Sequence, residues 1–200
     1  MHLILMSNGE FFTEKVPQLV ENFSKMKIAY INTATKGMPD PSALDRHIER
    51  MKELDFNFEV IDIADKNEDE LFEQLKTKDL IYVQGGNTFY LLKCIRESGF
   101  DKVIKKLLQK GIIYTGASAG AYVACPTIEM ATWNDSQHFD RFGITDFTAL
   151  GLFPSLIKAH FTEDQRPVLD SYINNSHYKV ELLADNEALM IKNGKITKFN

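Results

Sequence analysis

The stretch YTGASAGAYVA, Tyr114 to Ala124, surrounds one serine, Ser118, with Gly116, Ala117, Ala119, Gly120 and Ala121, and follows the apolar run Ile112-Ile113-Tyr114. A short apolar run opening after Gly111 reads as a buried strand. The small residues beyond it read as that strand turning abruptly into a helix, where neighbouring backbones come too close for larger side chains. Gly116-Ala117-Ser118-Ala119-Gly120 also fits the G-x-S-x-G pattern, and a strand-to-helix turn is the context a nucleophile elbow requires. In that arrangement the serine is strained and its Oγ is lifted clear of the turn. The helix behind it directs free N–H groups at developing negative charge.

Outward from this point the chain alternates in the same way. Leu3–Met6 precedes a helix expected near 14–26, Ile28–Asn32 one near 41–54, and Phe58–Ile63 one near 67–75. Leu80–Val83 leads to helices over 88–97 and 100–109, and Ile112–Thr115 enters the serine turn. Strand and helix in this order predict an α/β fold of three layers, a mostly parallel sheet with helices on both faces and functional loops at the carboxyl ends of the strands. Val180–Leu183, Ala188–Ile191 and Ile196–Phe199 form a closing strand group, with Asn193-Gly194 as the turn of a C-terminal β-hairpin. The aperiodic segment 139–154 is an excursion that could cover a site. With 200 residues, no repeat and no linker, residues 1–200 are expected to make one domain.

Composition removes several classes of function. A formal net charge of −5, with Lys and Arg dispersed, argues against nucleic acid as a partner. No apolar run approaches the roughly 20 residues a membrane span needs. The opening His2–Met6 is too short for a signal sequence and runs into Ser7-Asn8-Gly9, so no export signal is expected. Cys94 and Cys125 fall in expected helices without CxxC spacing and read as buried reduced thiols, which points to the cytoplasm. No cluster has metal-ligand spacing, so neither a metal nor another cofactor is expected.

A serine hydroxyl needs a base. His2, His47 and His177 read as surface residues, and His138 lies in polar surroundings. His160 ends the apolar Ile157-Lys158-Ala159, read as a further parallel strand that brings the imidazole beside the elbow. The imidazole in turn needs a carboxylate to hold its tautomer. Glu187, in a turn at the entrance of Ala188–Ile191, is preferred over Asp135, with Asp164 a poorer choice. An acid that follows the histidine in the chain disfavours the α/β-hydrolase fold, whose acid precedes it.

The order of Gln84-Gly85-Gly86-Asn87-Thr88-Phe89, Gly116–Ala121, Asn134-Asp135, His160-Phe161 and Glu187 resembles the peptidase E family of aspartyl dipeptidases and its relatives including cyanophycinase, over nearly the whole chain. The resemblance implies a fold similar to class I glutamine amidotransferase domains, flavodoxin-like in architecture, and a Ser-His-Glu serine peptidase. In it Ser118 is the nucleophile, His160 the base and Glu187 its orienter, with the N–H groups of Gly86 and Ala119 as oxyanion hole. Asp135, Asn87 and Arg166 are the expected substrate-binding residues. Where the family carries a longer segment with an aspartate-reading arginine after the histidine, this chain has the short, acidic Thr162-Glu163-Asp164-Gln165-Arg166, which puts a preference for aspartate in doubt. The expected activity is exopeptidase cleavage of short peptides with a free amino terminus by a monomer or homodimer. A serine esterase or amidase, or a catalytically silent binding protein on the same scaffold, are the alternatives.

Overall fold

The computed structural model describes residues 1–40, 42–133 and 140–200. The first half of the chain contains β1 (His2–Met6), α1 (Glu10–Glu14), α2 (Val16–Leu19), β2 (Ile28–Ile31), α3 (Thr33–Lys36) and α4 (Ser42–Glu53). There follow β3 (Phe58–Ile61), α5 (Glu68–Leu75), β4 (Leu80–Val83), α6 (Thr88–Ser98) and α7 (Phe100–Gln109). The second half adds β5 (Ile113–Ala117), α8 (Ala119–Tyr122), β6 (Leu156–Lys158), α9 (Arg166–Asn175), β7 (Val180–Leu182), β8 (Ala188–Lys192) and β9 (Lys195–Phe199).

Among the described residues seven strands form one sheet in the order β3-β2-β4-β5-β1-β8-β9. The first five of these are parallel, and β8 and β9 are antiparallel additions at the β1 edge. Alternation along the strands makes the two faces. Leu3, Leu5, Ile81, Val83 and Tyr114 join a core with α5, α6 and α7, whereas Ile4, Met6, Tyr30 and Tyr82 pack against Phe11 and Phe12 of α1 and Met51 of α4. The chain runs outward from β2 to β3, then returns past β2 to β4. The carboxyl ends of β2 and β4 therefore flank a topological switch point, where open α/β sheets place ligands. Thr33–Lys36 and Gly85-Gly86 lie there.

Local chemistry explains most boundaries. Asn67 starts α5 with a reciprocal capping box, its Oδ1 accepting from Glu70 N (3.0 Å) while Glu70 Oε2 accepts from Asn67 N (2.9 Å). Gly99, at φ +72°, ends α6 and opens α7. The final hairpin turns through Asn193 (φ +52°) and Gly194 (φ +79°), as the Asn-Gly signal requires.

Three expectations are corrected. The helix expected near 14–26 is broken into α1, α2 and a 3-10 turn at Phe23–Lys25, because Pro17 starts a new helix and Asn22 adopts φ +57°. The strand before His160 does not join the main sheet. The place beside β1 is taken by β8, and β6 pairs in parallel with β7 as a separate two-stranded sheet. Residues 180–182 accordingly belong with β6 and not with the closing hairpin. Finally, His47 is not a surface residue: its Nε2 lies 3.0 Å from Gly9 O and its ring stacks on Tyr30, and burial lowers its pKa below the usual 6.5.

Candidate active site

Steric crowding at the end of β5 is severe. A Cβ on Gly116 would lie 2.4 Å from Gly120 O, and one on Gly120 would lie 2.1 Å from Val83 O, so only glycine fits at either position. The turn between them forces Ser118 to φ +48°, ψ −109°, a strained conformation for a residue with a side chain. Its backbone is fixed on both sides: Ser118 N donates to Met6 O (3.0 Å), and Ser118 O accepts from Ala121 N and Tyr122 N (2.9 Å each). Tyr114 adds a buried hydrogen bond from its hydroxyl to Gly120 O (2.7 Å). The small residues around Ser118 thus answer a packing demand, and the packing demand presents the hydroxyl.

His160 Nε2 lies 3.1 Å from Ser118 Oγ, and His160 Nδ1 lies 2.5 Å from Asp185 Oδ1. Nδ1–H donating to the carboxylate leaves Nε2 as an acceptor for the serine proton. His160 itself is at φ +56°, at the bend where the chain leaves β6. The neighbouring carboxylate is a correction, because Glu187 was expected there. Glu187 Oε2 instead accepts from Ala184 N (2.8 Å) and pairs with Lys198 Nζ (2.8 Å), closing the turn that leads into β8. With the longer acid folded back on its own turn, Asp185 at the apex of Ala184–Glu187 reaches the imidazole. The signal was present in Ala184-Asp185-Asn186, a turn two residues earlier than the acid chosen.

Gly85 and Gly86 form the facing wall. A Cβ on Gly85 would lie 3.1 Å from Ser118 Cβ, and Gly86, at φ +144°, has its α-carbon against the Ala34 carbonyl, which an added Cβ would approach to 2.5 Å. The N–H groups of Gly86 and Ala119 have no acceptor among the described residues. Asn87 is placed differently from expectation. It is fully buried, its Oδ1 caps α6 by accepting from Tyr90 N (2.9 Å) and its Nδ2 donates to Asp140 O (3.0 Å). Both polar ends are spent on holding the loop, which makes it a cap worth about 1 kcal/mol and not a substrate contact.

Arg166 packs on the ring of Phe161 (5.0 Å), the residue after His160, but its guanidinium is engaged by Glu163 through Nε (2.8 Å) and Nη2 (3.1 Å). Asp135 and His138 lie outside the described residues, as does the start of the 139–154 excursion. Its remainder runs along α6, where Arg96 Nη2 donates to Asp146 O (2.9 Å) and Thr148 O (2.7 Å) and Phe142 packs on Tyr90. Among the described residues no group of three His, Cys, Asp or Glu side chains could share a metal ion. Cys125 lies past the end of α8 and not within a helix, and burial pushes its thiol up to about 12, so it is not a second nucleophile. One neighbour of the histidine carried no signal in the sequence. Ser7, at the carboxyl end of β1, is fully buried beneath the histidine.

A serine raised on a strand-to-helix turn, with an imidazole on its hydroxyl and a carboxylate on the imidazole, at the carboxyl edge of a mostly parallel sheet, defines an α/β serine hydrolase. The chain belongs to peptidase family S51, whose model matches residues 3–199. It is a serine-type peptidase of the peptidase E kind. An uncharacterized peptidase of Listeria monocytogenes is 27% identical over 195 residues, covering 92% of this chain and 93% of that protein. Peptidase E of Salmonella arizonae is 48% identical over 90 residues, 45% of this chain and 37% of its own length. A crystal structure of a provisionally named peptidase E protein from Listeria monocytogenes EGD-e superposes with a TM-score of 0.83 at 26% identity, covering 99% of this chain and 97% of that one. A peptidase from an acI-B1 Actinobacterium shares the fold, with a TM-score of 0.73 at 17% identity over 99% of this chain and 86% of that one. No helix among the described residues is long and apolar enough to cross a membrane.

Proposed function

We propose that this peptidase works through a Ser118–His160–Asp185 triad and removes residues from short peptides with a free amino terminus. The observation that carries the reading is the continuous chain of contacts, 3.1 Å from Ser118 Oγ to His160 Nε2 and 2.5 Å from His160 Nδ1 to Asp185 Oδ1. Ser118 Oγ attacks the scissile carbonyl carbon as its proton passes to His160 Nε2. The carbonyl oxygen becomes an oxyanion within reach of the Gly86 and Ala119 N–H groups. On collapse the C–N bond breaks, and His160 returns the proton to the departing amine. Water then attacks the Ser118 ester with His160 again as base, releasing the acid and restoring the hydroxyl. Asp185 stabilises the imidazolium.

Asp135 carries the exopeptidase part of the reading, as a carboxylate for the substrate's α-ammonium. Binding energy gained there would register the first peptide bond against Ser118. The Glu163–Arg166 ion pair supports a site without strong selection for an amino-terminal aspartate. The test is a fluorophosphonate probe with peptide mapping, alongside a panel of aminoacyl arylamides with and without N-acetyl caps. Labelling at Ser118, cleavage of uncapped compounds and at least comparable rates for non-Asp residues are expected. An unlabelled Ser118 would end the serine mechanism, and indifference to acetylation would end the amino-terminal reading.

A further inference from the structure

The hydroxyl of Ser7 stands where the loops that carry His160 and Asp185 meet the end of β1. It accepts from the backbone N–H of His160 (2.8 Å) and lies 3.1 Å from Leu183 O and 3.4 Å from Asp185 Oδ1. Ser7 N donates to Glu187 O (3.0 Å), so the same residue also fixes the far side of the 184–187 turn. Leu183 O accepts in addition from Phe161 N (3.0 Å), and Leu183 N donates to Lys158 O (3.0 Å). His160, Asp185 and their two loops are thereby tied to the end of β1, the strand that also receives the backbone N–H of Ser118 at Met6 O.

Exposure shows why such a tie matters. The side chains of His160 and Asp185 are 51% and 64% exposed, whereas Ser7 is fully buried. Two exposed groups meeting through one contact are free to part, and solvent weakens the attraction between them. A hydroxyl has one proton and two lone pairs. Its acceptor side fixes the backbone of His160 at φ +56°, and its single proton serves Leu183 O or Asp185 Oδ1. We propose that Ser7 is a positioning residue of the peptidase: its buried hydroxyl holds the His160 backbone and, through Leu183 O or Asp185 Oδ1, the loop that carries the Asp185 carboxylate, in register with Ser118. The inference rests on the Ser118–His160–Asp185 reading and adds to it a residue that touches neither substrate nor the reacting atoms.

The test measures the rate of fluorophosphonate labelling at Ser118 together with the ring nitrogen NMR signals of His160, in the full chain and in Ser7→Ala, Ser7→Cys and Ser98→Ala. Ser98 is the matched control. It is a buried hydroxyl that donates to Cys94 O (2.7 Å) and accepts from Phe100 N (3.4 Å), at the far end of α6. Ser7→Ala is expected to slow labelling on the order of 10- to 100-fold, the scale of a small misplacement of reacting groups, and to shift the Nδ1 signal. Ser7→Cys, with the same shape and a weaker donor, should recover part of the rate and supplies the readout if Ser7→Ala does not fold. Ser98→Ala should melt earlier yet label at the wild-type rate. Wild-type labelling and an unchanged imidazole spectrum in Ser7→Ala would overturn the proposal, as would an equal loss in Ser98→Ala. Wild-type labelling in Asp185→Asn would instead overturn the triad reading, and this inference with it.

Discussion

The two halves of the site are built by different means. Around Ser118, glycines at 116 and 120 lie so close to neighbouring carbonyls that an added Cβ would sit 2.4 Å and 2.1 Å away, and the backbone has no alternative to the strained turn. Around His160 the support comes from a separate two-stranded sheet, a left-handed bend, an exposed carboxylate and two buried hydroxyls, those of Ser7 and Tyr122, which accept from the N–H groups of His160 and Ala159. Ser118 is presented by packing, whereas His160, between the buried Ala159 and Phe161, is oriented by a few directional contacts. Packing resists small perturbations until it fails outright, whereas directional contacts can be loosened one at a time without unfolding the chain.

Substitutions can break or sharpen this contrast. Ser118→Ala removes one oxygen from the rigid half, so the fold should survive while turnover falls by roughly 10⁴- to 10⁶-fold. Retained hydrolysis in a pure sample would end the serine mechanism. Gly86→Ala strikes the wall opposite the nucleophile. The new Cβ would meet the Ala34 carbonyl at 2.5 Å, displacing the Gly86 N–H by whatever shift relieves the clash. A loss of about 10²- to 10³-fold in kcat is expected, the range for one oxyanion donor, with circular dichroism checking that the sheet persists. Undiminished kcat would remove Gly86 from the oxyanion hole. The smallest effect is expected at Arg166, whose guanidinium is committed to Glu163 on the surface. Arg166→Ala should alter neither the melting temperature nor the relative rates on Asp-leading and other substrates by more than about 3-fold. A selective loss on Asp-leading substrates would show that the arginine leaves Glu163 to read the substrate.

The same contrast explains what could be read from the chain. The elbow was legible because glycine and alanine packed around Ser118 state a steric requirement in residue type. The alternating apolar runs likewise announced the parallel sheet, and Asn193-Gly194 its closing hairpin. His160 does lie beside Ser118 as its place at the end of an apolar run suggested, although that run pairs with β7 and not with the main sheet. Its carboxylate partner was misread as Glu187, since a turn of four residues offers two acids and only the fold determines which one is used by Ala184 N and Lys198. The place of Ser7 beneath His160 was not legible. A serine after a strand is common, and its role depends on His160 and Asp185, 153 and 178 residues further along the chain. Asn87 was recognised within a glycine-rich motif, but both ends of its side chain cap structure, a use that its position before α6 also fits.

The central claim, that Asp185 and not Glu187 orients the base, is tested most directly by kcat for Asp185→Asn and Glu187→Gln on one uncapped aminoacyl arylamide, at a pH where wild type is fully active. The asparagine cannot stabilise the imidazolium and favours the wrong tautomer, so Asp185→Asn should lose at least about 10²-fold. Glu187→Gln keeps an oxygen for Ala184 N and loses only its contact with Lys198, so its kcat should stay within about 5-fold of wild type. A large loss in Glu187→Gln with near-normal turnover in Asp185→Asn would contradict the account.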